Sequence, residues 1–160
     1  MADARGPGSV DVRLASVEDA GVLARLLWDF NTEFDAPIDP ADVLEGRLQR
    51  LLASGRFWAL LAGEPASAFA TIAMRESALS AGPVAYLEDL YVAPALRGQG
   101  IGSAMMARLL DEAARREISM VEVGVDEPDV SARRFYESHA FVYRDPDTEE
   151  RAFYLYREFD

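Results

Sequence analysis

The sequence predicts an α/β domain built around one mixed sheet, and three observations carry that prediction. Short segments alternate apolar and polar residues. Four others repeat apolar residues at helical spacing. One strand–helix–strand unit stands near the middle of the chain. The predicted order is β-α-α-β-β-β-α-β-α-β-β. The single β-α-β unit, from Val84 to Val125, should cross over right-handed and set two strands parallel; the rest would run antiparallel, with helices on both faces.

Residues 1–8 are small, polar and rich in Gly and Pro, and are expected to form a disordered lead-in to a single domain over residues 9–160. "VDVRLA" alternates Val10, Val12 and Leu14 and reads as the first strand. Ser16 offers a helix N-cap, with Asp19 completing a short capping box. The first helix carries Val22, Leu23, Leu26, Leu27, Phe30 and Phe34 on one stripe, and Phe30 and Phe34 read as plain core. "DAPID" breaks it. Asp39 then caps a second helix with Pro40 at its first position, and Val43, Leu44, Leu48, Leu51 and Leu52 form the apolar face.

"FWALLA" and "ASAFATIAMRES" form a hairpin across "GEP", and "SAGP" turns the chain into "VAYLEDLYV", rich in β-formers. Pro94 ends that strand. A glycine loop follows, then a helix with Ile101, Met105 and Leu109 four apart and Ala104 and Ala113 at close-packed positions. "SMVEVGV" is expected as a buried strand and "DVSARRFYESHA" as a short helix. "FVYRD" and the alternating aromatic "AFYLYREF" are expected as the last two strands, with "DPDTEE" as the solvated loop between them.

The formal net charge of -12 disfavours a phosphate backbone as partner and favours small cations such as amines, although it also serves solubility. With no cysteine there is no disulfide, thiolate metal site or nucleophilic thiol, and a single histidine, His139, excludes a histidine-rich metal cluster. No segment has the length of a membrane span or the apolar core of a signal peptide, so a cytoplasmic protein without a membrane or nucleic-acid partner is expected.

The loop "LRGQGIGS" places Arg97 before Gly98, Gly100 and Gly102, where a helix is about to start. A helix N-terminus presents unpaired N–H groups and a partial positive charge, a ready site for phosphate. Glycines let the backbone approach such a ligand, and a guanidinium adds a forked set of donors. A tight strand-to-helix turn alone would also use one or two of these glycines. A P-loop would need Lys followed by Ser or Thr, and a dinucleotide loop needs G-x-G-x-x-G. Neither pattern is present, although Glu122 stands at the distance of a ribose ligand.

"YLEDLYVAPALRGQGIGSAM" resembles the acetyl-CoA signature of the GNAT acetyltransferase superfamily, in which Arg or Gln is followed after two residues by Gly, any residue, and Gly or Ala. Arg97, Gly100 and Gly102 match it. "DVSARRFYESHAF" resembles the later motif of the superfamily, and the resemblance spans about residues 10–160. Two positions depart from it: Asp129 stands where the motif often has Asn, and Ala140-Phe141 replaces "GF".

The resemblance implies a GNAT acyl-CoA N-acyltransferase fold that uses acetyl-CoA and no metal. The loop of Arg97, Gly98, Gln99, Gly100, Ile101, Gly102 and Ser103 would wrap the pyrophosphate. The stretch Leu90-Tyr91-Val92 would offer backbone bonds to the pantetheine arm, like an added strand, with Asp129 and Ser131 nearby. Dimers are common in the family, and the last strand could take part in one.

Acetyl transfer to an amine requires a base for the ammonium proton, stabilisation of the oxyanion and a proton for the departing thiolate. Tyr136 matches the family's thiolate proton donor; an aromatic packing role is the alternative. Glu88 is the candidate base. It is costly to bury in an apolar strand, and polyamine-type members of the superfamily carry Glu in a similar "LED" context. Strict alternation puts Glu88 on one face with Tyr86, Leu90 and Val92, and Asp89 on the other with Leu87 and Tyr91. Trp28, Glu33 and Asp35 would suit a cationic acceptor. His139 reads as structural. The expected function is N-acetylation of a small cationic amine by direct attack. The competing readings are acetylation of a protein lysine or N-terminus, a catalytically silent acyl-CoA sensor, and an unrelated nucleotide-phosphate binder.

Overall fold

A computed structural model describes residues 10–159, and the expected lead-in of residues 1–8 lies outside the described residues. The chain forms two compact units that meet in sequence between Glu122 and Val123.

The first unit holds the sheet. Its strands are β1 (Val12–Leu14), β2 (Phe57–Ala62), β3 (Ala68–Arg75) and β4 (Val84–Val92), paired antiparallel in sequence order, with β5 (Met120–Val123) next to β4. Helices α1 (Ala20–Glu33) and α2 (Ala41–Ala53) follow β1, and α3 (Ile101–Arg115) links β4 to β5. This is the α/β mixed-sheet class that the alternation and the lone β-α-β unit predict.

Leu23, Leu26, Leu44 and Leu48 of α1 and α2 pack with Phe57, Ala59, Leu61, Phe69 and Tyr91 on one face of the sheet. Trp58, Leu60 and Ile72 point the other way and are also buried. There α3 presents Met105, Met106, Leu109 and Ala113, and its terminal Arg116 lies over the Trp58 ring at 4.9 Å. Both faces of the central strands are therefore covered, which is why "FWALLA" is buried at all six positions.

The entry to α1 uses the expected capping box. Ser16 N–H donates to Asp19 Oδ2 at 2.8 Å, and Arg13 forks onto the same carboxylate at 2.7 and 2.8 Å. That fork holds the Asp19 carboxyl well below the usual range. Three local expectations shift. Pro40 is the N-cap of α2 rather than its first residue. Phe34 is 61% exposed: it lies just past the end of α1 at Glu33 with its ring on Phe30, and only Phe30 reaches Phe69 and Tyr91 of the sheet. β5 is a partly covered strand with Met120 exposed, not a buried one.

The second unit contains α4 (Val130–Ser138) and a tight hairpin turn. The two strands expected at "FVYRD" and "AFYLYREF" do not form. Among the described residues there is only an isolated bridge between Arg144 and Arg151, with Asp145 Oδ1 collecting the N–H groups of Asp147 and Thr148 at 2.9 Å each. Phe153, Tyr154, Leu155 and Tyr156 are all exposed, so the alternation has no face to bury.

Candidate functional site

The segment joining β4 to α3 passes through one tight turn at Pro94–Leu96 and then two left-handed glycines, Gly98 at φ +74° and Gly100 at φ +82°. A Cβ at either would meet nothing within 4 Å. The glycines are thus required by the backbone path and not by crowding, and the space beside them is open. Gly100 is the N-cap of α3 and supplies no side-chain cap; Ala104 N–H donates back to its carbonyl at 3.0 Å. The amides before it, of Ile101, Gly102 and Ser103, are those a helix start leaves without intrahelical acceptors. No acidic residue stands in this first turn. The donor set, the dipole and the open space fit a phosphate group. The exposed Ser103 adds a hydroxyl, and the Gln99 amide turns back to Ala95 O at 3.3 Å.

Arg97 does not point into that space. Its Nη1 and Nη2 donate to Glu33 Oε1 and Oε2 at 2.8 and 2.7 Å, and its Nε donates to Val92 O at 2.9 Å. The guanidinium also lies 5.6 Å from the centre of the Tyr91 ring. The structure therefore unites Glu33, expected on the acceptor side, with Arg97, Tyr91 and Val92, expected on the coenzyme side. Burial, then the charges of Glu33 and Asp29, push the Tyr91 hydroxyl up, with Arg97 opposing. The other acceptor-side residues are open: Trp28 is 42% exposed, and Asp35 is exposed at φ +50° just beyond α1.

β4 is not a regular strand. Leu87 registers with Ile72 and Asp89 with Thr71, which leaves Glu88 as the extra residue of a β-bulge. Cross-strand partners share a face, so strict alternation fails here. Asp89 joins Tyr91 and Tyr86 on the α1–α2 side, whereas Leu87 joins Leu90 and Val92 on the α3 side. Bulges re-aim side chains and collect beside active sites. Glu88 opens to solvent, yet partial desolvation by the strand pushes its carboxyl up, and the Asp89 charge adds to the effect. Asp89 is more deeply placed. Burial raises its pKa, opposed by the Thr71 hydroxyl, which donates to Oδ2 at 2.6 Å. Sequence alternation places Asp89 on the face opposite Glu88 and gives no sign of its bond to Thr71. Two adjacent acids in an apolar strand were the available signal for a bulge.

Leu90 and Val92 register with Ala70 and Ala68 of β3 on one edge. On the other side β5 has four residues against nine in β4, too few to pair along its whole length. An extended arm could take backbone bonds there.

In the second unit Asp129 is the N-cap of α4, and its Oδ1 accepts the Ala132 N–H at 2.9 Å, the ordinary use of Asp at that position. Ser131 is exposed in the first turn. Tyr136 is half-buried, with its ring 5.3 Å from Phe135 and 5.5 Å from Phe141. His139 caps the helix C-terminus against Phe135 at 4.8 Å.

The sequence model of the Acetyltransferase (GNAT) family matches residues 22–141, which include the bulged strand, the glycine loop and α4. The chain belongs to the GNAT acetyltransferase family. Its fold is shared by a candidate acetyltransferase from Arthrobacter sp. FB24, 40% identical, with 98% of this chain and 100% of that one covered at a TM-score of 0.90. An aminoglycoside acetyltransferase from an uncultured soil metagenomic sample, solved with sisomicin, is 22% identical over 94% of this GNAT chain and 97% of its own, at a TM-score of 0.76. A ribosomal-protein-alanine N-acetyltransferase from Brucella melitensis biovar Abortus 2308 is also 22% identical, over 94% and 100%, at 0.73. An uncharacterized N-acetyltransferase of Archaeoglobus fulgidus is 38% identical over 55 residues, 34% of this chain and 37% of its own length. Among the described residues of this GNAT chain, no helix is long and apolar enough to cross a membrane, and no cluster of three His, Cys, Asp or Glu could hold a metal ion.

Proposed function

We propose that this GNAT chain transfers the acetyl group of acetyl-CoA to the primary amine of a small cationic acceptor. The observation that carries the reading is the loop at Gly98 and Gly100: two left-handed glycines opening onto an uncapped helix start with no acid in its first turn. In a GNAT chain that arrangement suits a pyrophosphate held by the amides of Ile101, Gly102 and Ser103, and the stretch Leu90–Val92 at the end of β4 suits the pantetheine arm.

Acetyl-CoA supplies the reactive thioester. The amine nitrogen attacks its carbonyl carbon, a C–N bond forms, the C–S bond breaks, and the thiolate leaves. Glu88 takes the ammonium proton, directly or through water. Its bulged position aims it out of the strand ladder, and its raised pKa moves it toward the range a base needs. The resemblance assigns protonation of the leaving thiolate to Tyr136. With no cysteine in the chain, direct attack needs no enzyme thiol. The net charge of -12, the open Trp28 and the exposed Asp35 favour a cationic acceptor, and an aminoglycoside acetyltransferase of like fold is in complex with sisomicin.

The test is thiol release from acetyl-CoA over a panel of diamines, polyamines, aminoglycosides, amino acids and peptide N-termini. Turnover with small polycations supports the proposal. Turnover confined to peptides would reassign the acceptor, and coenzyme binding with no turnover on any amine would make this a silent acyl-CoA binder.

A further inference from the structure

We infer that Glu33, at the C-terminal end of α1, is a positioning residue for the coenzyme loop: it fixes Arg97 as a bracket that holds the loop in its phosphate-ready path. The inference rests on the acetyltransferase reading above.

Arg97 uses all three of its side-chain nitrogens on protein. Two go to Glu33 across 64 positions of sequence, and Nε goes to the Val92 carbonyl at the end of β4. One side chain thus joins the end of α1, the end of β4 and the loop itself. The fork–fork geometry is the strongest arrangement a guanidinium and a carboxylate can form. The hydrogen bonds to Glu33 raise the Arg97 pKa, outweighing burial, which lowers it.

Apart from the backbone bonds of Leu96 N–H to Ala93 O and Arg97 N–H to Pro94 O, the loop is held by few side chains. Beyond Arg97 its side chains contribute Gln99 to Ala95 O at 3.3 Å, and Gly98 and Gly100 contribute no side chain. Left-handed glycines are the residues with most conformational freedom to lose. Anchoring Arg97 removes part of that freedom before a ligand arrives, and preorganisation of this kind appears as affinity.

The pairing also decides how a phosphate would be held. With the guanidinium neutralised by Glu33, the pyrophosphate falls to the backbone amides at the start of α3. This makes the sign of a mutational effect diagnostic. If Arg97 contacted phosphate directly, Glu33 would compete for it, and removing the Glu33 charge would tighten coenzyme binding. If Glu33 positions the loop, removing that charge weakens it.

The experiment measures coenzyme A affinity by calorimetry, and acetyl-CoA KM and kcat, for the wild type, Glu33→Gln, Arg97→Lys and the double variant. Thermal unfolding checks that each folds. We expect Glu33→Gln to weaken coenzyme A about three- to tenfold, with the acetyl-CoA KM rising more than kcat falls. Arg97→Lys keeps the charge but loses the fork and should weaken binding similarly. The double variant should be little worse than either single one, because the two residues act as a unit. Equal or tighter binding by Glu33→Gln, with a wild type that binds, overturns the bracket and leaves the acetyltransferase reading standing. If Glu33→Gln does not fold, undiminished binding by Arg97→Lys overturns it instead. A wild type that does not bind coenzyme A overturns both.

Discussion

The Thr71 hydroxyl donates to Asp89 Oδ2 at 2.6 Å across β3 and β4, at the pair next to the bulged Glu88. Thr71 is itself buried, so one short bond from a neutral donor is set against the desolvation of a carboxylate, and desolvation prevails: the Asp89 pKa is raised. A carboxyl whose folded pKa lies above its unfolded one contributes stability below the unfolded value and loses it as pH rises through the folded value. Asp89→Asn retains an acceptor for Thr71 and removes the buried charge. It should raise the melting temperature at neutral pH, and its advantage should shrink as pH falls toward about 4. Melting curves across that range check this; an unchanged or lower melting temperature at neutral pH would refute it.

Glu88 is raised for the same first reason, with the Asp89 charge adding to it. Below its pKa it carries a proton and cannot act as a base. The wild-type kcat/KM should therefore fall on an acidic limb centred above the ordinary glutamate value. Glu88→Gln should lower kcat/KM about 10²- to 10⁴-fold at neutral pH. The deficit should narrow in alkali, as the amine approaches its own pKa of about 10 and sheds its proton unaided. A deficit that is flat with pH would remove Glu88 from the role of base.

Gly100 tests the loop separately from the chemistry. Its φ of +82° disfavours any side chain by about 1–2 kcal/mol, while a Cβ there would touch no protein atom. Gly100→Glu adds bulk and a negative charge to the open side. Coenzyme A binding should be lost while the fold survives. Calorimetry beside a melting curve decides it, and unchanged affinity would mean that the phosphate lies elsewhere.

Glu112 is the buried charge of α3. It accepts from Arg108 at 3.0 Å and Arg116 at 2.9 Å, with Arg115 at 3.6 Å. Burial alone would raise its carboxyl, but the two arginine hydrogen bonds outweigh it and hold the pKa below the usual range. That contribution is present above the unfolded pKa and is lost as pH falls through the folded one. Glu112→Ala strands Arg116 over the Trp58 ring and should destabilise by about 1–3 kcal/mol at neutral pH, less in acid. Denaturant titrations at the two pH values measure it.

What was legible in the sequence follows from what repeats. The stripes of α1 and α3 are periodic and β2 is an unbroken apolar run, and Leu23, Leu26, Met105 and Leu109 lie where spacing puts them. The bulge at Glu88 adds one residue and leaves no period, so alternation assigned Tyr86 and Leu87 to the wrong faces. The Glu33–Arg97 ion pair joins positions 64 apart and has no local signature, so nothing in the sequence ties Glu33 to the glycine loop. At Phe153–Tyr156 the alternation was real but incomplete information, since it names an apolar face and not the edge a strand would pair with.

Ala140 stands where the family motif has glycine, and the structure shows what that exchange entails. The Phe141 N–H donates to Tyr136 O at 3.1 Å and the Ala140 N–H to Glu137 O at 3.0 Å, the paired bonds of a Schellman motif. The rings of Phe141 and Tyr136 close it at 5.5 Å. This places Ala140 in the left-handed position, at φ +65°. A Cβ there costs about 1–2 kcal/mol, and glycine would return part of that through its greater freedom when unfolded, about 0.5–1 kcal/mol. Ala140→Gly should therefore stabilise the chain by about 0.5–1 kcal/mol. α3 ends the same way at Glu117, φ +56°, with Ile118 N–H on Ala113 O at 3.0 Å, so Glu117→Gly should stabilise for the same reason. Glu117 lies in the first unit and Ala140 in the second. If both units unfold together, the two gains should add in one transition; if they unfold apart, each variant should shift a different one. Calorimetric scans of the single and double variants distinguish these outcomes, and a loss of stability in both singles would show that the left-handed turns are not strained by their side chains.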